Sequence, residues 1–405
     1  MASLRQANTR TAIGFLNVGH ALDHLAMAIF PIAVLAIARE LGRDFSDVLP
    51  LSLGGFIAFG AGSLPAGWLG DRWSRHGMMI AFFCGLGLAL VLTGLARTPF
   101  EIAAALTLVG LCAAIYHPVG LALLVIDQKT LGRTLGVNGV AGNLGIAAAV
   151  LLAGKLIDLS GWRTAFIAPG VATFLVGLAY WRLVPDPGPV ARRAGKAAPP
   201  LPRDMLVRVF LVLAVATLAG GVIFSACTNA MPKLFDERLR ALTDTTFGIG
   251  ALVAAVYALA AVAQLCVGQL IQRFPLKSIF LPVVLMQAPL LYLAGSAENW
   301  AMLAAAVAMM FFVFGQIPIN DAMVARYAAN EWRSRVFALR YVVSFGASAL
   351  AVPLVAVLHR NGGFRELFVV LAAVALCTLA AAFLLPGSAS ERAAAALAQP
   401  AGGDD

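Results

Sequence analysis

The sequence predicts an all-α integral membrane protein of twelve transmembrane helices, arranged as two pseudo-symmetric six-helix bundles. Three observations carry this. Of 405 residues, 61% are hydrophobic and 12% charged, with a mean hydropathy of +0.88, whereas soluble domains are about 45 to 50% apolar. Apolar runs close to the roughly 20 residues that span a bilayer recur twelve times, six on each side of a polar stretch at 185–204. Landmarks of the first six runs return in the last six at offsets of 200 to 202 residues, as a duplicated bundle would.

The first run, 12–38, follows Arg5 and Arg10 and contains Asp23 and two histidines. It is too long and too polar for a cleaved signal peptide and is expected to remain as a helix. His20, Asp23 and His24 stand at i, i+3 and i+4, on one helical face. A rise of about 1.5 Å per residue puts them near mid-membrane, where an ionisable side chain is costly and marks function by default. A carboxylate beside an imidazole can exchange a proton near physiological pH, which suits proton coupling. Two histidines and a carboxylate are also acceptable ligands for a first-row metal. On a third reading, His20 and Asp23 only neutralise one another against neighbouring helices.

The second run, 47–70, leads into Gly67-Trp68-Leu69-Gly70-Asp71-Arg72-Trp73-Ser74-Arg75-His76-Gly77, a charged tight turn before the third run, 77–96. Gly67 lets two helices pack closely, and Asp71 to Arg75 cluster charge where a helix leaves the bilayer. The fourth run, 100–126, carries Tyr116-His117-Pro118; the proline frees a backbone carbonyl and loosens the helix. The fifth, 134–157, presents Gly136, Asn138, Gly139, Gly142, Asn143 and Gly145, a small-residue face for close helix contact. The sixth, 164–184, is introduced by Trp162-Arg163.

In the second set, 206–234 holds Pro232, which matches Pro31 at an offset of 201. The run 245–271 ends in Gly268, matching Gly67, with Gln272 where Asp71 stands. After 277–296, the run 299–326 contains Gln316-Ile317-Pro318, the counterpart of His117-Pro118, followed by Asn320 and Asp321. The run 335–358 contains Arg340, and 364–386 opens on Phe364-Arg365, matching Trp162-Arg163. Arg340 can snorkel to water, or pair with Asp321 as an intramembrane ion pair or an anchor for an anionic solute.

The expected domains are 1–184, a Pro- and Arg-containing linker at 185–204, a second bundle at 205–386, and a polar tail at 387–405. With both termini cytoplasmic, 18 of the 29 Lys and Arg residues face inward and 10 outward, as the positive-inside rule asks of an inner-membrane protein. The charge of +9 is dispersed through short loops facing lipid headgroups and forms no nucleic-acid-binding stripe. The five cysteines, with no paired spacing, read as packing residues. No cofactor motif, nucleotide-binding loop or nucleophile–base pair argues for an enzyme. The expected partners are a small-molecule substrate, protons and the bilayer, with the chain acting as a monomer.

The turn at Gly67, Asp71, Arg72 and Arg75 resembles the loop between helices two and three of the major facilitator superfamily of secondary transporters; Ser74 and His76 depart from its pattern. In that family helices one, four, seven and ten line the cavity, which implies that His117 and Gln316 face each other across it, with Tyr116, Asn143 and Asn320 nearby. The resemblance also implies a gating latch, Asp71 meeting the start of helix eleven and Arg72 pairing with Asp127. Gly19-His20-Ala21-Leu22-Asp23, Tyr116-His117-Pro118 and Gly142-Asn143-Leu144-Gly145 are similar to stretches of fosmidomycin-resistance exporters. That similarity implies proton-coupled efflux, an antiport of a drug or metabolite by alternating access. The alternatives are proton-coupled uptake of an organic anion, a divalent-metal transporter using His20, Asp23, His24 and His117, and a non-transporting membrane sensor.

Overall fold

The computed structural model describes residues 2–124, 131–186, 203–328 and 333–387. Among them, eleven helices rather than twelve are long and apolar enough to cross a membrane. They are α1 (Ala2–Leu41), α2 (Phe45–Arg72), α3 (Arg75–Leu95), α4 (Pro99–Leu124), α5 (Leu131–Ser160), α6 (Trp162–Leu183), α7 (Arg203–Arg238), α8 (Thr246–Arg273), α9 (Leu276–Ala294), α10 (Asn299–Tyr327) and α11 (Arg333–Phe383). The count differs from the expected one because the last two apolar runs merge in α11. Its 51 residues contain a non-helical Gly363 at φ 66° and ψ −161°. An unbroken helix of that length would measure about 75 Å, against a hydrocarbon core of about 30 Å. Gly363 takes a positive φ without the Cβ penalty and divides α11 into two limbs.

Local chemistry sets the helix starts. Thr98 makes a reciprocal capping box with Glu101, with Pro99 in the first turn of α4. Ser74 accepts from the Gly77 amide at 2.9 Å, and Thr245 from the Gly248 amide at 2.9 Å, opening α3 and α8. In the first half α1 packs on α5, α3 on α6 and α2 on α4; in the second, α7 packs on α11 and α8 on α10. The closest approach of α2 and α4 is at Gly55 and Gly110, where a side-chain carbon on Gly110 would strike the Gly55 backbone. Leu64, Leu111, Leu175, Leu211, Leu265 and Leu293 are exposed on the outside of the bundle, a surface suited to lipid.

The halves meet along α5 with α8, α2 with the first limb of α11, and α1 with α7. Polar contacts gather at one mouth of this seam. Arg39 pairs with Asp236 at 3.1 Å, Asp47 pairs with Arg360, and His359 Nδ1 lies 3.0 Å from Ser46 Oγ. Glu237 sits 3.0 Å from His359 Nε2 and 3.4 Å from Lys233. Asp158, on the last turns of α5, accepts from the Thr246 and Phe247 amides at 3.2 and 2.7 Å, so a carboxylate of one half caps a helix of the other.

Candidate functional site

Pro118 has the local effect expected of it: Tyr116–Gly120 is a single π-helical turn inside α4, the irregularity that accompanies many functional sites. This turn carries Tyr116 and His117 inward, 0% and 7% exposed. Gly67 makes room for it, since a Cβ there would lie 3.2 Å from the Pro118 side chain.

The α1 triad meets this turn. His20 Nδ1 lies 2.7 Å from the Asn138 carbonyl oxygen, which can only accept, so Nδ1 carries the proton and Nε2 is left as an acceptor. Nε2 of His20 stands 3.0 Å from Nε2 of His24. The Asp23 carboxylate, 1% exposed, comes within 3.4 Å of His117 Nε2. Neither Asp23 oxygen and neither His117 nitrogen has a hydrogen-bond partner among the described residues. Asn138 organises the wall behind: its side-chain amide donates to the Tyr116 hydroxyl at 2.8 Å and to Asn17 at 3.1 Å, and Tyr116 donates to the Leu16 carbonyl at 2.7 Å. The His20 ring lies parallel to Tyr116 at 4.9 Å. The nearest nitrogens of His20, His24 and His117 lie within 4.8 Å of one another, so the cluster could also hold a metal ion.

Gly142 of α5 leaves the space in which the His20 ring sits; a Cβ there would lie 2.8 Å from its Cε1. Gly142→Ala is therefore expected to push His20 off the Asn138 carbonyl and slow transport about tenfold. Gly139→Ala, with open space at its Cβ, serves as the control, and initial rates in proteoliposomes give the comparison. Equal rates in the two variants would remove His20 placement from the account.

From the second half, Tyr341 and Phe345 of α11 close over His117, with ring centroids at 5.4 and 5.0 Å. Arg340, 8% exposed, pairs with Asp321 and lies 5.1 Å from the Tyr341 ring. Gln316, expected to face His117 across the cavity, is buried and fully engaged by its neighbours. Its oxygen accepts from Gln287 at 2.9 Å and its amide donates to the Ala216 carbonyl at 3.0 Å, so its hydrogen bonds are made within its own half. Asn320 is buried with an unpartnered oxygen. Asn143 donates to Gln264 at 2.7 Å, which makes it a pin between α5 and α8.

Of the latch residues, Asp71 pairs with Arg75 at 2.7 Å. Arg72 stacks over Trp68 at 5.2 Å, and its expected partner Asp127 lies outside the described residues. Sequence reasoning missed Asn17, Tyr341 and the His359 network. Each is an ordinary residue in its own run, and only the packing of distant helices gives it partners.

A polytopic helical bundle with ionisable groups buried between its helices is the architecture of a membrane transporter. The chain belongs to the Major Facilitator Superfamily, whose model matches residues 16–254 and 239–401. It is 21% identical over 392 residues to a Na(+), Li(+), K(+)/H(+) antiporter of Planococcus maritimus, covering 86% of this chain and 89% of that one. It is 30% identical over 162 residues to a probable actinorhodin transporter of Streptomyces coelicolor, a match spanning 38% of this chain and 28% of the relative. A probable 4-methylmuconolactone transporter of Cupriavidus pinatubonensis is 30% identical over 207 residues, 50% of this chain and 47% of that one. In fold it is similar to a bacterial homolog of the human lysosomal transporter Spinster in an inward-facing, unoccupied conformation. That match has a TM-score of 0.73 and 15% identity, and covers 98% of this chain and 99% of the other.

Proposed function

We propose that this chain is a proton-coupled secondary transporter that exports a small organic solute by alternating access across the inner membrane. Asp23 carries the reading: a carboxylate sealed between helices with no hydrogen-bond partner, 3.4 Å from an imidazole. An isolated charge there is costly, so the site favours a bound proton in one state of the cycle and its release in another. The two limbs of α11 then count as two crossings, giving twelve helices with both termini cytoplasmic. The bundles 1–184 and 205–386 rock about the cluster, and the mouth held by Arg39–Asp236 and Asp47–Arg360 is the outer one, closed here. Support for proton exchange comes from the antiporter relative, and for export from the short similarities to fosmidomycin-resistance exporters. Uptake of an organic anion is the second reading, favoured by the unpartnered Arg340 Nε and by the 4-methylmuconolactone relative.

Cargo and direction can be separated. Thermal shift of the purified full-length chain against 4-methylmuconolactone and potassium, the named solutes of two relatives, is expected to show stabilisation by the organic solute, since a ligand of the folded state stabilises it by mass action. In proteoliposomes loaded at acidic pH, an antiporter accumulates that solute as protons leave; a symporter accumulates it only when the lumen is alkaline. Stabilisation by potassium alone would replace the organic cargo with a cation.

A further inference from the structure

We propose that His20, His24 and His117 form a binding site for one divalent transition-metal ion of the zinc class, with the fourth position left to water or a solute. The site goes beyond proton coupling and does not depend on it, because it is read by binding alone.

Four observations point to an ion. The three imidazoles come from two helices, α1 and α4, and their nearest nitrogens lie within 4.8 Å of one another; among the described residues this is the one group of three or more potential ligands so gathered. His20 is oriented as a ligand, its Nδ1 held at 2.7 Å by the Asn138 carbonyl while Nε2 faces the cluster. Almost every metal-bound histidine donates its other ring N–H to an oxygen in this way. Both nitrogens of His117 are buried without hydrogen-bond partners among the described residues, and a bound cation would satisfy one of them, with the Asp23 carboxylate beside His117 adding negative charge next to the site. His24 is half-buried, unlike His20 and His117, and gives the ion a way in.

The distances suit a tetrahedral ion after a small closure. Bonds of about 2.0 to 2.1 Å place ligand atoms roughly 3.3 Å apart. His20 and His24 are already at 3.0 Å. The wider spacing of up to 4.8 Å closes if the His117 ring, which no hydrogen bond holds among the described residues, moves in by about 1.5 Å. Three imidazoles select zinc, cobalt or nickel over magnesium and calcium, which require oxygen ligands.

The test titrates metal-free, purified full-length chain in detergent with ZnCl2 against a chromogenic chelator. One ion per chain is expected, with affinity reduced about 100-fold or more in His24→Gln and His117→Ala, unchanged in His359→Ala at the distant mouth, and without competition from Mg2+. Co2+ should give the visible absorption of a tetrahedral site. His24→Gln alters a half-buried side chain, so it reports even if His117→Ala fails to fold. Absence of stoichiometric binding, or equal affinity in parent and His24→Gln, overturns the proposal.

Discussion

Asp23→Asn is expected to abolish uphill transport driven by a pH gradient in proteoliposomes, while solute exchange with no gradient stays within about twofold of the parent. Asparagine is close to aspartate in size and keeps one acceptor oxygen, so the α1–α4 contact should survive; what it loses is the ability to bind and release a proton. A carboxylate enclosed in apolar surroundings is costly to charge, and Asp23 has no hydrogen-bonding neighbour to share the burden. Its protonation is therefore tied to whether the cavity opens. Removing that exchange should uncouple proton flow from cargo flow without blocking the path. Uphill transport at the parent rate would show that protons pass elsewhere, and the proposed function would lose its central observation.

The second large effect concerns Arg340. Asp321→Ala is expected to destabilise the detergent-solubilised protein by about 2 kcal/mol. Breaking a buried ion pair costs about 3 to 5 kcal/mol, and the 40% exposure of the Asp321 side chain lowers that figure through solvent screening. The cost arises because the guanidinium, 8% exposed, is left without its counter-charge. Asp321→Leu combined with Arg340→Met should recover most of the lost stability, since apolar residues of similar volume remove the charge together with its desolvation cost. Thermal unfolding followed by tryptophan fluorescence measures all three proteins. A single variant as stable as the parent would mean that Arg340 reaches water unaided and that the pair contributes nothing to stability.

Much of this protein could be read along the chain. Hydrophobic runs fixed the helices because each crossing must satisfy its own backbone hydrogen bonds in lipid; the spans agree with the predicted runs to within a few residues at most ends. The i, i+3, i+4 spacing put His20, Asp23 and His24 on one face, and Pro118 marked the irregular turn of α4. The gap between the runs 335–358 and 364–386 likewise contains Gly363, where α11 breaks.

What the chain could not disclose is which polar groups meet. Gln316 stands at the position equivalent to His117, but that its oxygen accepts from Gln287 and its amide donates to Ala216 could be seen only in the packed helices. The same holds for the rings of Tyr341 and Phe345 that lie against His117. The His20 tautomer depends on the Asn138 carbonyl, 118 residues away, and the seam depends on Asp158 reaching the start of α8.

The sequence by itself determined that this is a helical membrane protein with ionisable groups at the centre of its first helix, because hydropathy and helical period are local properties. Only the tertiary structure decided that those groups join His117 in one buried cluster and that Arg340 is matched by Asp321. A side chain's hydrogen-bond and charge partners are set by where distant helices pack, and no periodicity within one helix encodes that.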